Sequence, residues 1–297
     1  MKTLRIVLLI TLAVLFCKCK KSLIEENEVA NNKLIEKALE SNNIDYIKEN
    51  GIYTYVLKKG YGYQLADGDS IAFWYIASTL KGEIFDTNIS QIADSTGIDM
   101  QGRNMNPIEA IVGDDTFIQG LTLGLPLCRE GQWNSLLFSS TYGYQDIRTG
   151  SVEPWSPLVF NVFIIYVKNE KIALEQNNIS NFVAGSSGFI PDSTGLWIKS
   201  VSQGELNAKP MPGDTIFGAY KLLTLEQSLI EQTEGESEMI VLNNNILEGI
   251  LYGFLKLAPG DEMHMVIPSP LGYGINGSEN IAPYTPLFCE IKLDSIK

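Results

Sequence analysis

A chain of 297 residues has room for two domains of ordinary size, each with its own core. Its 45% hydrophobic content, with aromatics at 10%, excludes a disordered or low-complexity polymer. A formal charge of −13 excludes a nucleic-acid surface, which needs concentrated Lys and Arg.

The N-terminus reads as a targeting segment. Lys2 and Arg5 precede a run over residues 6–16 that is apolar but for Thr11. That length suits the core of a signal peptide and falls short of the roughly 20 residues a spanning helix needs. Cys17-Lys18-Cys19 follows, with Lys20 and Lys21 beside it. A cysteine directly after such a run resembles a bacterial lipobox, although Phe16 stands where a small residue is usual. The expectation is lipidation at Cys17 (or Cys19), export, and anchoring in the bacterial envelope facing the periplasm or the cell surface. An uncleaved N-terminal anchor is the alternative. Residues 1–19 are thus signal and anchor. Residues 20–50 form a tether and a short helix carrying Leu34, Ile35, Ala38 and Leu39 on one stripe.

Gly51 opens an alternating strand over 52–57, and the Gly68-Asp69 turn leads to another over 70–77. A polar, flexible-looking loop covers 88–106. A short helix is expected over 117–125, then strands over 131–139 and 158–167. Residues 168–181 read as a boundary, and the same order then recurs. Gly213-Asp214 mirrors Gly68-Asp69, Gly249 and Gly253 mirror Gly120 and Gly124, and Leu271-Gly272-Tyr273 mirrors Tyr142-Gly143-Tyr144. The second helix falls at 246–254, with strands at 260–268 and 287–294. Ordered landmarks across a whole domain imply duplication, with domains over 51–169 and 170–297. Runs of strands around one helix predict an α+β fold, an antiparallel sheet with a helix on one face.

Other signals carry little chemistry. Gly272-Tyr-Gly274-Ile-Asn-Gly277 matches a dinucleotide fingerprint, but no helix pattern follows it. His264 is the only histidine, which argues against a His-based triad or a zinc cluster, so neither metal nor cofactor is expected. Asp67 and Asp69 lack the spacing of a calcium loop. Glu231, Glu234, Glu236 and Glu238 read as a solvated acidic run. Cys128 and Cys289 sit in apolar stretches of different halves, which suits buried unpaired thiols better than a disulfide.

The ordered series Phe85-Asp86, Pro107-Ile108, Phe117-Ile118-Gln119-Gly120, Tyr142-Gly143-Tyr144 and Pro157-Leu158-Val159-Phe160 resembles the FKBP family of macrolide-binding prolyl isomerases. The resemblance spans roughly residues 51–168 and, in a weaker form, 195–297. It implies two FKBP-like domains, each a curled antiparallel sheet wrapped over one short helix with an apolar pocket between them. In the first, Tyr75, Phe85, Asp86, Ile118, Tyr144 and Phe160 would be the catalytic set, with Ile108, Phe117, Leu121 and Val152 binding substrate. Leu121 stands where the family commonly has Trp, and Ile108 replaces a wall aromatic. Taken singly, each position is as readily explained by ordinary core packing.

The second copy has Ile230-Glu231 for Phe85-Asp86, Cys289 for Phe160 and Ile250 for Leu121, while Tyr220, Leu247, Tyr273 and Ile281 keep pocket character. It reads as a binding or spacer domain with its chemistry largely lost. Three functions follow. The first is a prolyl isomerase helping exported, proline-containing polypeptides to fold, with activity in the first domain. The second is a non-catalytic chaperone or binding lipoprotein. The third is a structural part of an envelope machine.

Overall fold

The computed structural model describes residues 2–204 and 208–297, with side chains from Ser22 onward. The side chains of Cys17, Cys19 and the apolar run therefore lie outside the described residues. Among the described residues, no helix is long and apolar enough to cross a membrane. The chain divides into two units. The first holds Met1–Lys59 and Leu65–Val167, the second Gly60–Gln64 and Lys168–Lys297.

The first unit runs α1 (Lys2–Ser41), β1 (Ile47–Glu49), β2 (Ile52–Lys58), β3 (Ser70–Thr79), β4 (Ile84–Thr87), α2 (Ser90–Thr96), β5 (Ile108–Ile111), α3 (Gln119–Gly124), β6 (Trp133–Phe138) and β7 (Leu158–Lys168). Its 7-stranded sheet has the order β1-β2-β6-β7-β3-β4, with β5 beside β3. Alternation drives this arrangement. Ile71 and Phe73 on β3, and Leu158, Phe160, Val162 and Ile164 on β7, point every second residue into the core. Gly51 turns the chain into β2 at φ 82°, and a Cβ there would meet the Tyr142 ring at 2.5–2.7 Å.

Helix α3 packs on β2 and β6 because it has no side chains along one edge. A Cβ on Gly120 would stand 2.4 Å from the Phe138 ring, and one on Gly124 would stand 2.7 Å from Leu136. Gly120→Ala therefore sets two effects against each other. Helix propensity favours Ala by about 1 kcal/mol. Overpacking a fixed aromatic ring costs about 1–3 kcal/mol and should win. The expected outcome is a lower urea midpoint for the first unit with the slope unchanged.

The second unit repeats the first in element order, except that α2 has no counterpart. It runs α4 (Glu170–Gly185), β8 (Ile190–Pro191), β9 (Trp197–Ser202), β10 (Thr215–Thr224), β11 (Leu229–Gln232), β12 (Glu238–Val241), α5 (Glu248–Phe254), β13 (Glu262–Ile267) and β14 (Leu287–Ile296). Its order, β8-β9-β13-β14-β10-β11 with β12 beside β10, is that of the first sheet. Both units are α+β, antiparallel sheets with a short helix on one face, as the strand runs predicted.

Three local readings change. Residues 168–181, read as a boundary, form most of α4. Asn169 caps this helix by accepting the Ile172 amide at 2.8 Å, and Ile172, Glu175 and Ile179 are its buried stripe. The polar 88–106 loop is anchored and contains α2. Buried Asn88 accepts the Tyr75 amide at 2.8 Å and donates to the Phe73 and Asn106 carbonyls at 3.1 and 3.0 Å. The short N-terminal helix is the end of a longer one, α1. It sets Ile35 and Leu39 against Tyr53 and Leu137 on the outer face of the sheet, while Leu34 is exposed.

The paired helices α1 and α4 each drive a polar side chain into the 3-10 turn that follows the penultimate strand. Asn31 accepts the Ser140 amide at 2.7 Å and donates to the Trp155 carbonyl at 3.1 Å. Glu175 accepts the Ser269 amide at 2.6 Å and its hydroxyl at 2.7 Å. The repeat thus includes a clamping helix before each sheet, a relation that the landmark residues did not show. Cys128 and Cys289 are buried free thiols, as their apolar settings implied.

Candidate active site

The curl of the first sheet brings side chains from β3, β4, β7 and the segment after β6 into one aromatic cluster beside the start of α3. Phe160 on β7 is its centre. The ring stacks on Tyr75 with centroids 6.0 Å apart and on Phe138 at 5.6 Å, and meets Phe85 edge-on at 6.1 Å. Phe85 in turn meets Tyr144 edge-on at 6.2 Å. Phe117 packs edge-on against Phe73 at 5.7 Å, and Phe73 lies 6.4 Å from Tyr75. Leu121 and Val152 are buried at 6% and 1% exposure. Ile108 lies across from Phe73 in the β3–β5 register, and it also borders a separate cleft of about 500 Å³ with Ala72, Pro107 and Glu109. That cleft contains none of the cluster's aromatic rings.

The polar groups sit at the rim. The helix expected from Phe117 begins only at Gln119, and Ile118 precedes it in an extended conformation, φ −58° and ψ 145°. Its carbonyl accepts the Leu121 and Thr122 amides. Its own N–H, like the Tyr144 hydroxyl, has no hydrogen-bond partner among the described residues. Two such donors are what a bound peptide carbonyl needs. Burial, reinforced by the charge of Asp86, raises the pKa of both Tyr75 and Tyr144, so both hydroxyls keep their protons well above neutral pH.

Asp86, at the end of β4, accepts the Thr87 amide at 2.9 Å and pairs with Arg103. Arg103 escaped the sequence reading. It lies 17 residues from Asp86 in a loop read as polar filler, and only the return of that loop brings the two together. Its one mark in the sequence is a lone cation in an otherwise neutral Gln-Gly-Arg-Asn stretch.

The second unit keeps more of this rim than expected. The Tyr220 hydroxyl donates to Glu231, as Tyr75 faces Asp86 in the first copy, and Thr233 bonds Tyr220 where Asn88 bonds Tyr75. Leu247 precedes α5 at φ −55° and ψ 133°, the conformation of Ile118. What is lost is the aromatic wall. Cys289 replaces Phe160, and Ile230 replaces Phe85. A cleft of about 470 Å³ remains, lined by Ile230, Glu231, Tyr273 and Ile281 among others. The difference between the copies is therefore concentrated in the aromatic wall.

A family model described as FKBP-type peptidyl-prolyl cis-trans isomerase matches residues 62–165 and 207–294. "Peptidyl-prolyl cis-trans isomerase FKBP9" of Mus musculus is 23% identical over 219 residues, 73% of this chain and 32% of that protein. Mouse "Peptidyl-prolyl cis-trans isomerase FKBP10" is 22% identical over 229 residues, 77% of this chain and 34% of its own length. The chain thus spans about a third of the curated relatives it matches. Among solved structures, FkpA from Escherichia coli is 26% identical with a TM-score of 0.38, covering 43% of this chain and 60% of that one. The three FKBP domains of wheat FKBP73 are 17% identical with a TM-score of 0.33, covering 85% and 99%.

Proposed function

Because the chain belongs to the FKBP-type peptidyl-prolyl cis-trans isomerase family, we propose that its first unit isomerises X-Pro bonds in unfolded, proline-containing polypeptides. The observation that carries this reading is the aromatic cluster itself: three rings from three strands around Phe160, with Tyr144 set edge-on against Phe85. Lys2, Arg5, the apolar run and Cys17 or Cys19 support a second element of the proposal. The clients are exported proteins, and the enzyme works from a lipid anchor in the bacterial envelope.

Rotation about the peptide C–N bond is opposed by about 18–20 kcal/mol of resonance, and the uncatalysed step takes tens to hundreds of seconds. No bond breaks, so neither nucleophile nor proton relay is needed. A twisted amide has lost conjugation, and its carbonyl is less polar than that of the planar form. An apolar hollow therefore favours the transition state over the ground state. Phe85, Phe160 and Tyr75 would hold the pyrrolidine ring. The Ile118 N–H and Tyr144 hydroxyl would fix the flanking carbonyls, and Asp86 would orient the rotating one. Lowering the barrier by about 5–6 kcal/mol gives some 10⁴-fold acceleration.

In a proline-peptide assay, Phe85→Ala and Asp86→Ala should each lower kcat/KM by about tenfold or more, a loss of at least ~1.4 kcal/mol of transition-state binding. Far-ultraviolet circular dichroism should be unaltered. Undiminished turnover in both variants would place the chemistry elsewhere. A second reading, binding without turnover, is favoured for the second unit by Cys289 and Ile230, which stand where Phe160 and Phe85 would grip proline.

A further inference from the structure

We propose that the cleft of the second unit is a binding site for polypeptide segments carrying an exposed Lys or Arg side chain, with Glu231 as the residue that selects the cation. This goes beyond isomerisation in the first unit and concerns a different cleft.

The two copies differ at the rim carboxylate. In the first, the rim carboxylate Asp86 is neutralised by Arg103, supplied from the 88–106 loop of the same chain. The protein thus shows what this corner accepts, a guanidinium held beside a tyrosine–carboxylate pair. The second copy lacks the corresponding loop. Thr233, the counterpart of Asn88, is followed within a few residues by β12. Glu231 keeps its tyrosine partner, Tyr220, but no Lys or Arg pairs with it among the described residues. The corner is built for a cation and has none.

The surroundings reinforce this. Among the described residues, Glu231 is the only charged side chain lining the roughly 470 Å³ cleft, where Ile230 and Ile281 give an apolar floor and Tyr273, Ser228 and Asn280 give polar edges. Between residues 222 and 291 there are ten Asp and Glu and one Lys or Arg. That single cation, Lys256, is paired with Asp192. Lys221 and Lys292 flank this stretch, and Lys292 pairs with Asp294. A basic segment approaching the cleft therefore meets a predominantly negative stretch and then one specific carboxylate. Apolar contacts with Ile230 and Ile281 would hold the stem of the cationic side chain, whose methylenes need such cover.

The test uses the whole chain and two fluorescent hexapeptides that differ only in a central Arg or Gln between apolar residues. Fluorescence anisotropy should show the Arg peptide binding about fivefold more tightly at low salt, a preference that shrinks as salt rises. Glu231→Gln, which can still accept the Tyr220 hydroxyl, should abolish the preference and leave the fold and the isomerase activity unchanged. Phe85→Ala should lower isomerisation but leave the preference intact, so failure of this site and failure of the first are distinguishable. An equal preference in Glu231→Gln overturns the proposal. So does equal binding of the two peptides, or a preference that disappears with Phe85→Ala.

Discussion

Phe160→Ala should destabilise the first unit by about 3–5 kcal/mol, the usual cost of emptying a buried phenylalanine site. The ring is 4% exposed and touches Tyr75, Phe138 and Phe85, so its removal leaves a void bordered by three aromatic faces that cannot all close on it. Hydrogen exchange read by mass spectrometry should show faster opening of β3, β6 and β7, with β10, β13 and β14 unchanged. Phe160→Leu separates packing from chemistry. A near volume-conserving apolar swap should cost under about 1.5 kcal/mol. The flat face offered to a prolyl ring is gone all the same, so turnover should fall while the unit stays folded. Native-like exchange in Phe160→Ala would mean that the aromatic cluster does not hold the hollow together.

Glu175→Ala is the corresponding experiment in the second unit. Glu175 is 1% exposed and is the acceptor for both the amide and the hydroxyl of Ser269. Its loss leaves the Ser269 amide and hydroxyl and the Tyr63 hydroxyl without this acceptor, at about 1–3 kcal/mol for each that water cannot reach. Glu175→Gln gives the opposite result. Burial is the main influence on this carboxyl and raises its pKa above the usual value, against the opposing effect of Ser269. A raised pKa means that the folded state holds the proton more firmly than the unfolded one. The resulting stabilisation is complete below the unfolded pKa, near 4.5, and is lost as pH rises through the higher folded value. A neutral amide removes that loss. Thermal unfolding of Glu175→Gln should therefore match the parent near pH 4 and exceed it at pH 7. Asn31 already does the same job in the first unit with an uncharged side chain. A parent protein whose second unit gains stability from pH 4 to 7 would contradict this reading.

Much of the architecture was legible in the residues, because strands with one buried face alternate and turns that need positive φ select glycine. Gly68 and Gly213 open equivalent strands at φ 87° and 95°, and each is followed by Asp. The glycine pairs of α3 and α5 marked both helices. Phe85, Tyr144 and Phe160 were found through the spacing of a family series, and the structure places them in one aromatic cluster with Tyr75. What was hidden depends on contacts distant in sequence. Arg103 meets Asp86 only when a 17-residue excursion returns, and Asn88 matters only because its side chain bridges two backbone segments. Helix α4 has a thin buried stripe interrupted by Glu175, so its periodicity is weak. Its Asn169 cap was the signal available.

The match to the family begins at residue 62, yet β1, β2 and the clamp from Asn31 all precede it. Anyone expressing the first unit alone from that boundary would strip a neighbour from β6. The residues that lose their cover, Leu137 and Phe138 among them, would face solvent along a bare row of amides and carbonyls. Such an edge invites strand-to-strand aggregation. A usable excision point lies upstream of Asn31, inside the helix and not at its end.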